Sequence, residues 1–167
     1  MKYNNLIVTI LGLGNIGLLL AQKFKMMGWT VYGVKRTRSD GVDLYVDKLF
    51  LLADICIPLA ESDYVVNLMP ENQDSINFFN EKVFRMMKPS TLFCNVGRGS
   101  AVVDDDLEFV VNNGIICGAV MDAANRFEYK SQNILSTHHS SSYDPSNNKR
   151  FNTFYSRQLN SFLDDIS

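Results

Sequence analysis

Gly12-Leu13-Gly14-Asn15-Ile16-Gly17 sets three glycines at the spacing of a phosphate-cradling turn. An apolar run at 6–11 precedes it and reads as a buried strand. Residues 15–27 follow as a helix, with Ile16, Leu20, Phe24 and Met27 at helical spacing and Gly28 as its stop. In that strand–turn–helix setting each glycine has a job. Gly12 allows the tight turn, Gly14 lets the backbone approach a pyrophosphate, and Gly17 lets the helix lie close to the strand. The helix start, at Asn15 and Ile16, adds free N–H groups and a positive dipole end. The expected ligand is a dinucleotide; the competing reading is a structural turn that binds nothing.

About 20 residues further on, a ribose 2'-hydroxyl usually meets an Asp or Glu. This sequence carries Lys35-Arg36-Thr37-Arg38 there, with three cations and no carboxylate. A 2'-phosphate bears close to two negative charges and prefers guanidinium donors. The preference expected is NADP(H) over NAD(H), against the plain alternative of a solvated basic loop. Arg98 stands between Gly97 and Gly99, after an apolar run. That puts a guanidinium at the C-terminal edge of a strand, where open α/β sheets bind ligands. Such a fork grips a carboxylate or polarises a keto oxygen, or else is a surface arginine in a turn. His139, after another short apolar run, is able to give or take a proton, or is simply a solvated loop residue. The tandem His138-His139 has no Cys or carboxylate cluster beside it, so no metal site is expected.

These residues need elements to position them. Strands are expected at 6–11, 30–34, 48–52, 62–69 (closed by Pro70), 91–96, 115–121 and 134–136. Helices are expected at 15–27, 53–61 (weakened by Pro58), 80–87 (ended by Pro89) and 104–113 (stopped by Gly114). An amphipathic helix at 147–165 carries Phe151, Phe154, Tyr155, Phe162 and Leu163 near one stripe, as core or domain-packing surface. Continuous apolar strands alternating with helices mean a parallel sheet covered on both faces. The fold class is α/β: a Rossmann-type doubly wound parallel sheet in three α/β/α layers. Ser140-Ser141-Ser142 reads as a loop. Asp104, Asp105 and Asp106 open a helix, where negative charge suits the dipole.

Composition removes other classes. At 167 residues the chain suits one domain, and 46% apolar with 20% charged residues is ordinary for a globular one. A net charge of −2 gives no nucleic-acid footprint. No apolar run reaches the roughly 18 residues of a membrane span. The apolar start breaks at glycines and has no cleavage site, so it is not read as a signal peptide. Cys56, Cys94 and Cys117 fit no zinc spacing and read as reduced core residues, which suits a cytoplasmic protein.

The segments Asn67-Leu68-Met69-Pro70, Asn95-Val96-Gly97-Arg98-Gly99, Val103-Asp104, Gly118-Ala119-Val120-Met121-Asp122 and Thr137-His138-His139 follow one another in a familiar order. From about Leu6 onward the chain resembles the D-isomer-specific 2-hydroxyacid dehydrogenase family, in its glyoxylate/hydroxypyruvate reductase-like branch. The resemblance implies an NAD(P)-dependent oxidoreductase, moving hydride between NADPH or NADH and a small 2-oxo or 2-hydroxy acid. It implies that Arg98 binds substrate and His139 is the acid/base. It extends the cofactor set of Gly12, Gly14, Asn15, Ile16, Gly17, Lys35, Arg36, Thr37 and Arg38 to Met69, Pro70, Val96, Gly97 and Asp122. It also implies that Gly97 and Gly99 permit close approach of the nicotinamide half.

Two departures stand against the pattern. The family's glutamate five residues after the aspartate is Phe127 here, and Glu128 is the candidate replacement for the acid that holds the histidine. His138 replaces the usual proline and is a competitor for the proton role. The family also has a substrate domain; residues 1–167 read as a single dinucleotide-binding domain without it. A homodimer or a separate substrate-domain chain is the expected partner. The alternative function is a non-catalytic module that binds dinucleotide or a partner.

Overall fold

The computed structural model describes residues 5–37, 44–126, 128–137 and 139. Arg38, Phe127, His138, the serine loop and the expected helix at 147–165 lie outside the described residues. All seven expected strands form: β1 (Ile7–Leu11), β2 (Thr30–Lys35), β3 (Lys48–Leu51), β4 (Tyr64–Asn67), β5 (Leu92–Asn95), β6 (Gly118–Met121) and β7 (Ile134–Ser136). They pair in the order β3-β2-β1-β4-β5-β6-β7, and every pairing is parallel. Between them run α1 (Asn15–Met26), α2 (Cys56–Glu61), α3 (Glu81–Phe84) and α4 (Asp104–Asn112).

Alternate residues of each strand feed two cores. Val8, Ile10, Val31 and Val66 meet α1 through Ala21, with Leu18, Leu20 and Phe24 packed alongside. Leu11, Val34, Val65, Phe93 and Met121 meet α2, α3 and α4 through Leu59, Phe84, Leu107 and Val110. The result is the expected three-layer Rossmann-type sheet. Phe79, Phe84 and Phe93 are fully buried, with ring centroids 4.6–6.0 Å apart. Each such side chain contributes about 1.5–3 kcal/mol by leaving water.

Both long helices stop as read. After α1, the Trp29 N–H reaches Phe24 O at 3.1 Å and the Gly28 N–H reaches Lys25 O at 3.0 Å. After α4, the Ile115 N–H reaches Val110 O at 2.9 Å and the Gly114 N–H reaches Val111 O at 3.1 Å. These are Schellman ends, and the Phe24 and Trp29 rings stack across the first at 4.8 Å. The second uses the backbone of Gly114 and Ile115 for the cap, so β6 starts at Gly118 rather than at 115.

Other boundaries also shift. The helix expected at 53–61 divides into a 3₁₀ turn (Leu52–Asp54) and α2. Pro58 is the third residue of α2, where no intrahelical N–H partner is lost, so it is tolerated. The helix expected at 80–87 holds α geometry only over α3. It then tightens to 3₁₀ bonds, Met86 N–H to Val83 O and Met87 N–H to Phe84 O.

One correction concerns α1. Only the middle of its apolar stripe packs: Leu20 and Phe24 lie against the core, while Ile16 is 69% and Met27 56% exposed. Gly17 and Ala21 are the buried residues, because only small side chains let the helix approach the sheet. Cys56 is a second correction: it is exposed, not core.

Candidate functional site

In a sheet of this order the chain leaves β1 toward one side and β4 toward the other, and a crevice opens between their C-terminal ends. Here that crevice is a cleft of about 350 Å³ lined by Gly12, Leu13, Val34, Lys35, Arg36, Thr37, Leu52, Met69, Pro70, Asn72, Asp74 and Ser75. One wall is apolar, from Leu13, Val34, Leu52, Met69 and Pro70. The rim by β2 is cationic.

The glycine turn shapes the floor. Gly12 has φ +101°, and a Cβ there would stand 2.7 Å from Leu68 O. A Cβ on Gly17 would stand 2.2 Å from Gly12 O. No side chain larger than hydrogen fits either place without moving backbone. Gly14 is the helix N-cap, makes no side-chain cap hydrogen bond, and has nothing within 4 Å of where a Cβ would be. The first turn of α1 contains no acidic residue. An uncapped helix start facing open space is the geometry an anionic pyrophosphate fits.

Arg36 and Thr37 are exposed beside this floor, and Lys35 is half-buried. The Arg36 guanidinium faces Asp74, with Nη1 to Oδ2 at 3.6 Å. Asp74 sits in a tight turn after Pro70. Its N–H donates to Asn72 Oδ1 at 2.9 Å, and the Ser75 hydroxyl donates to Pro70 O at 2.8 Å.

Toward β5 the site rests on two buried amides. Asn67 and Asn95 end neighbouring strands in register. The Asn67 side chain donates to Asn95 Oδ1 at 2.8 Å, and its own Oδ1 accepts the Met69 N–H at 3.1 Å. Asn95 Nδ2 donates to Arg98 O at 3.0 Å and to Ala123 O at 2.7 Å. One amide pair thus holds the turns that follow β4, β5 and β6. Arg98 is exposed on the turn so held, and its Nη1 donates to Gly97 O at 2.8 Å. A Cβ on Gly97 would stand 3.0 Å from Met69 O, and one on Gly99 would stand 2.7 Å from Asn125 Oδ1. The close approach at both glycines is therefore made by the chain's own loops.

Asp122 follows β6 and is buried. Its N–H donates to Asn95 O at 3.0 Å, its Oδ1 accepts the Thr137 hydroxyl, and its carbonyl accepts the His139 N–H at 3.0 Å. His139 is exposed with φ +50°, a left-handed conformation held by that bond. Asp122 therefore ties the His139 turn to the backbone of Asn95, whose side chain holds the Arg98 turn. Glu128 is exposed, and among the described residues it makes no hydrogen bond or ion pair. Arg126 instead organises that loop, through Asp105 Oδ1 at 3.0 Å, Asp104 O at 3.0 Å and Glu108 Oε2 at 3.0 Å.

The three aspartates opening α4 have structural partners. Tyr129 donates to Asp104 at 2.5 Å, Arg126 pairs with Asp105, and Asp106 accepts the Glu81 N–H at 2.8 Å. Among the described residues no group of three metal-ligating side chains comes together. None of their helices is long and apolar enough to cross a membrane.

The sequence model of the D-isomer specific 2-hydroxyacid dehydrogenase family, NAD binding domain, matches residues 2–145. The chain belongs to that family. As a D-2-hydroxyacid dehydrogenase NAD-binding domain it is 30% identical over 129 residues to the glyoxylate reductase of Thermococcus onnurineus, covering 77% of this chain and 38% of that protein. The chain therefore spans well under half the length of that relative. Its structure resembles the NADPH-dependent glyoxylate/hydroxypyruvate reductase of Sinorhizobium meliloti in complex with NADP and sulfate. The TM-score is 0.74 at 25% identity, covering 97% of this chain and 54% of that one. It also resembles the D-isomer specific 2-hydroxyacid dehydrogenase of Xanthobacter autotrophicus in complex with NADPH and MES. The TM-score there is 0.75 at 26% identity, covering 83% and 46%.

Asn67, Asn95 as a positioning group, and Asp74 were not expected as parts of this dehydrogenase-family site. A signal existed for the amides: each is a polar residue ending an apolar strand run. Asp74 had none, because its meeting with Arg36 is made across 38 positions of sequence by the sheet order.

Proposed function

We propose that this domain binds NADP(H) in preference to NAD(H), in an oxidoreductase that acts on a small 2-oxo or 2-hydroxy acid. The observation that carries the reading is the uncapped start of α1 over the Gly12 turn, with Lys35, Arg36 and Thr37 on the rim of the same cleft. Gly12, Gly14, Gly17 and the N–H groups of Asn15 and Ile16 would hold the pyrophosphate. Lys35, Arg36, Thr37 and Arg38 would hold the 2'-phosphate, and the apolar wall the adenine. Met69, Pro70, Val96, Gly97 and Asp122 would flank the nicotinamide, which when bound supplies or accepts the hydride. Solved relatives carrying NADP and NADPH support the choice of cofactor.

Arg98 is then the group that binds the substrate carboxylate, and its exposure leaves the guanidinium face available. His139 is the acid/base, set in place by the Asp122 carbonyl. Glu128 is its candidate acid partner. The cleft needs a second wall to exclude water and to place the substrate. Residues 1–167 are read as one dinucleotide-binding domain whose substrate half belongs to a longer protein or a separate chain, with a homodimer as the alternative assembly, in the cytoplasm.

The test is calorimetric titration of the purified chain with NADPH and NADH separately, followed by glyoxylate or hydroxypyruvate while the absorbance of reduced cofactor is watched. NADPH is expected to bind at least about tenfold tighter, a gap of about 1.4 kcal/mol. Binding with turnover makes the chain a working reductase. Binding without turnover leaves a cofactor-binding half that needs its partner. Failure of both nucleotides to bind overturns the reading.

A further inference from the structure

The end of β2 carries no carboxylate, yet the cleft does contain one. Asp74 reaches it from the turn after Pro70 and stands 3.6 Å from Arg36. We propose that Asp74 sets the cofactor preference of this site, restraining NADP(H) binding and keeping NAD(H) usable; this rests on the dinucleotide reading above.

Three features carry it. First, Asp74 is placed by its backbone, not by chance side-chain motion. The Asn72 side chain accepts the N–H groups of Asp74 at 2.9 Å and Ser75 at 3.1 Å, and Ser75 Oγ in turn accepts the Asn72 N–H at 2.9 Å. Secondly, Arg36 and Asp74 are 69% and 63% exposed, so their pairing is easily exchanged for another partner. A 2'-phosphate arriving at Arg36 must displace this carboxylate and then remain near it, like charge beside like charge. Thirdly, a ribose without the 2'-phosphate offers a hydroxyl donor, and a carboxylate is the acceptor such sites normally provide. Asp74 supplies from the β4 side what the β2 end lacks.

The experiment is titration of NADPH and NADH into the full chain, its Asp74→Asn variant, and Asp105→Asn as a control of equal charge change on α4. Asp74→Asn is expected to tighten NADPH binding about three- to tenfold and to leave NADH binding equal or weaker. The gain should shrink at 1 M salt, where the Debye length falls to about 3 Å. Asp105→Asn should change neither. An Asp74→Asn variant that matches wild type, or that shifts both cofactors equally, overturns the role of Asp74 while leaving the dinucleotide site standing. Wild-type protein that binds neither cofactor overturns both.

Discussion

At the scale of single residues, the site depends on atoms that are missing. Gly17 lets α1 come within contact of the Gly12 carbonyl, and a methyl group there would stand 2.2 Å from that oxygen. Gly114 has φ +64° but open space around it. The two differ in what alanine should do. Gly114→Ala is expected to cost about 1 kcal/mol, from the left-handed backbone alone. Gly17→Ala is expected to cost over about 2 kcal/mol and to abolish dinucleotide binding, because the helix start must move. Urea midpoints and an NADPH titration of the two variants check this, and equal losses would contradict it. The Gly-x-Gly-x-x-Gly spacing was enough to foresee these roles, since the clash is local to one turn. The separation of Glu128 from any described partner was not foreseeable, because it depends on where Arg126 anchors its loop.

At the scale of elements, the Asn67–Asn95 pair decides how three strand ends relate to the chemistry beyond them. Each amide is fully buried, and between them they bond the turns that bear Met69, Arg98 and Ala123. Removing Asn95 takes the acceptor from Asn67 Nδ2, and removing Asn67 takes the side-chain acceptor from the Met69 N–H, both in a buried site. Asn67→Ala and Asn95→Ala are each expected to cost about 1–3 kcal/mol. The double variant should cost less than their sum, by at least about 0.5 kcal/mol. Denaturation of the four proteins measures this coupling; strict additivity would mean that the two amides act separately. Elements themselves were legible because strands of a covered parallel sheet are continuous apolar runs. Their ends were less so: α3 is short because the turn after it tightens to 3₁₀ bonds, and β6 begins late because the turn before it caps α4.

For the whole molecule, two groups give stability a dependence on pH at opposite ends of the range. Burial pushes the Cys94 thiol up to about 11, and the charge of Asp122 adds to this. Its native pKa is above its unfolded value near 8.5. The stabilisation is therefore complete below about pH 8.5 and is lost as pH rises toward 11. Asp47 behaves in the opposite sense. Burial works to raise it, but hydrogen bonds from Lys25 and the Val31 N–H outweigh this and hold it below the ordinary carboxylate range. Its contribution is present above that range and is lost as pH falls through the native value. Urea midpoints measured from pH 8 to 11 should decline in wild type and decline less steeply in Cys94→Ala; identical slopes would remove Cys94 as the cause. By itself the sequence determined the fold class, the order of strands and helices, the glycine turn and the family, because each is written in local spacing. Tertiary structure alone decided which face of α1 is buried, that Asp74 meets Arg36, and that Asn95 joins the Arg98 and His139 turns through its side chain and backbone. Those pairings join residues distant in sequence, and only the parallel strand order brings their strand ends to one edge of the sheet.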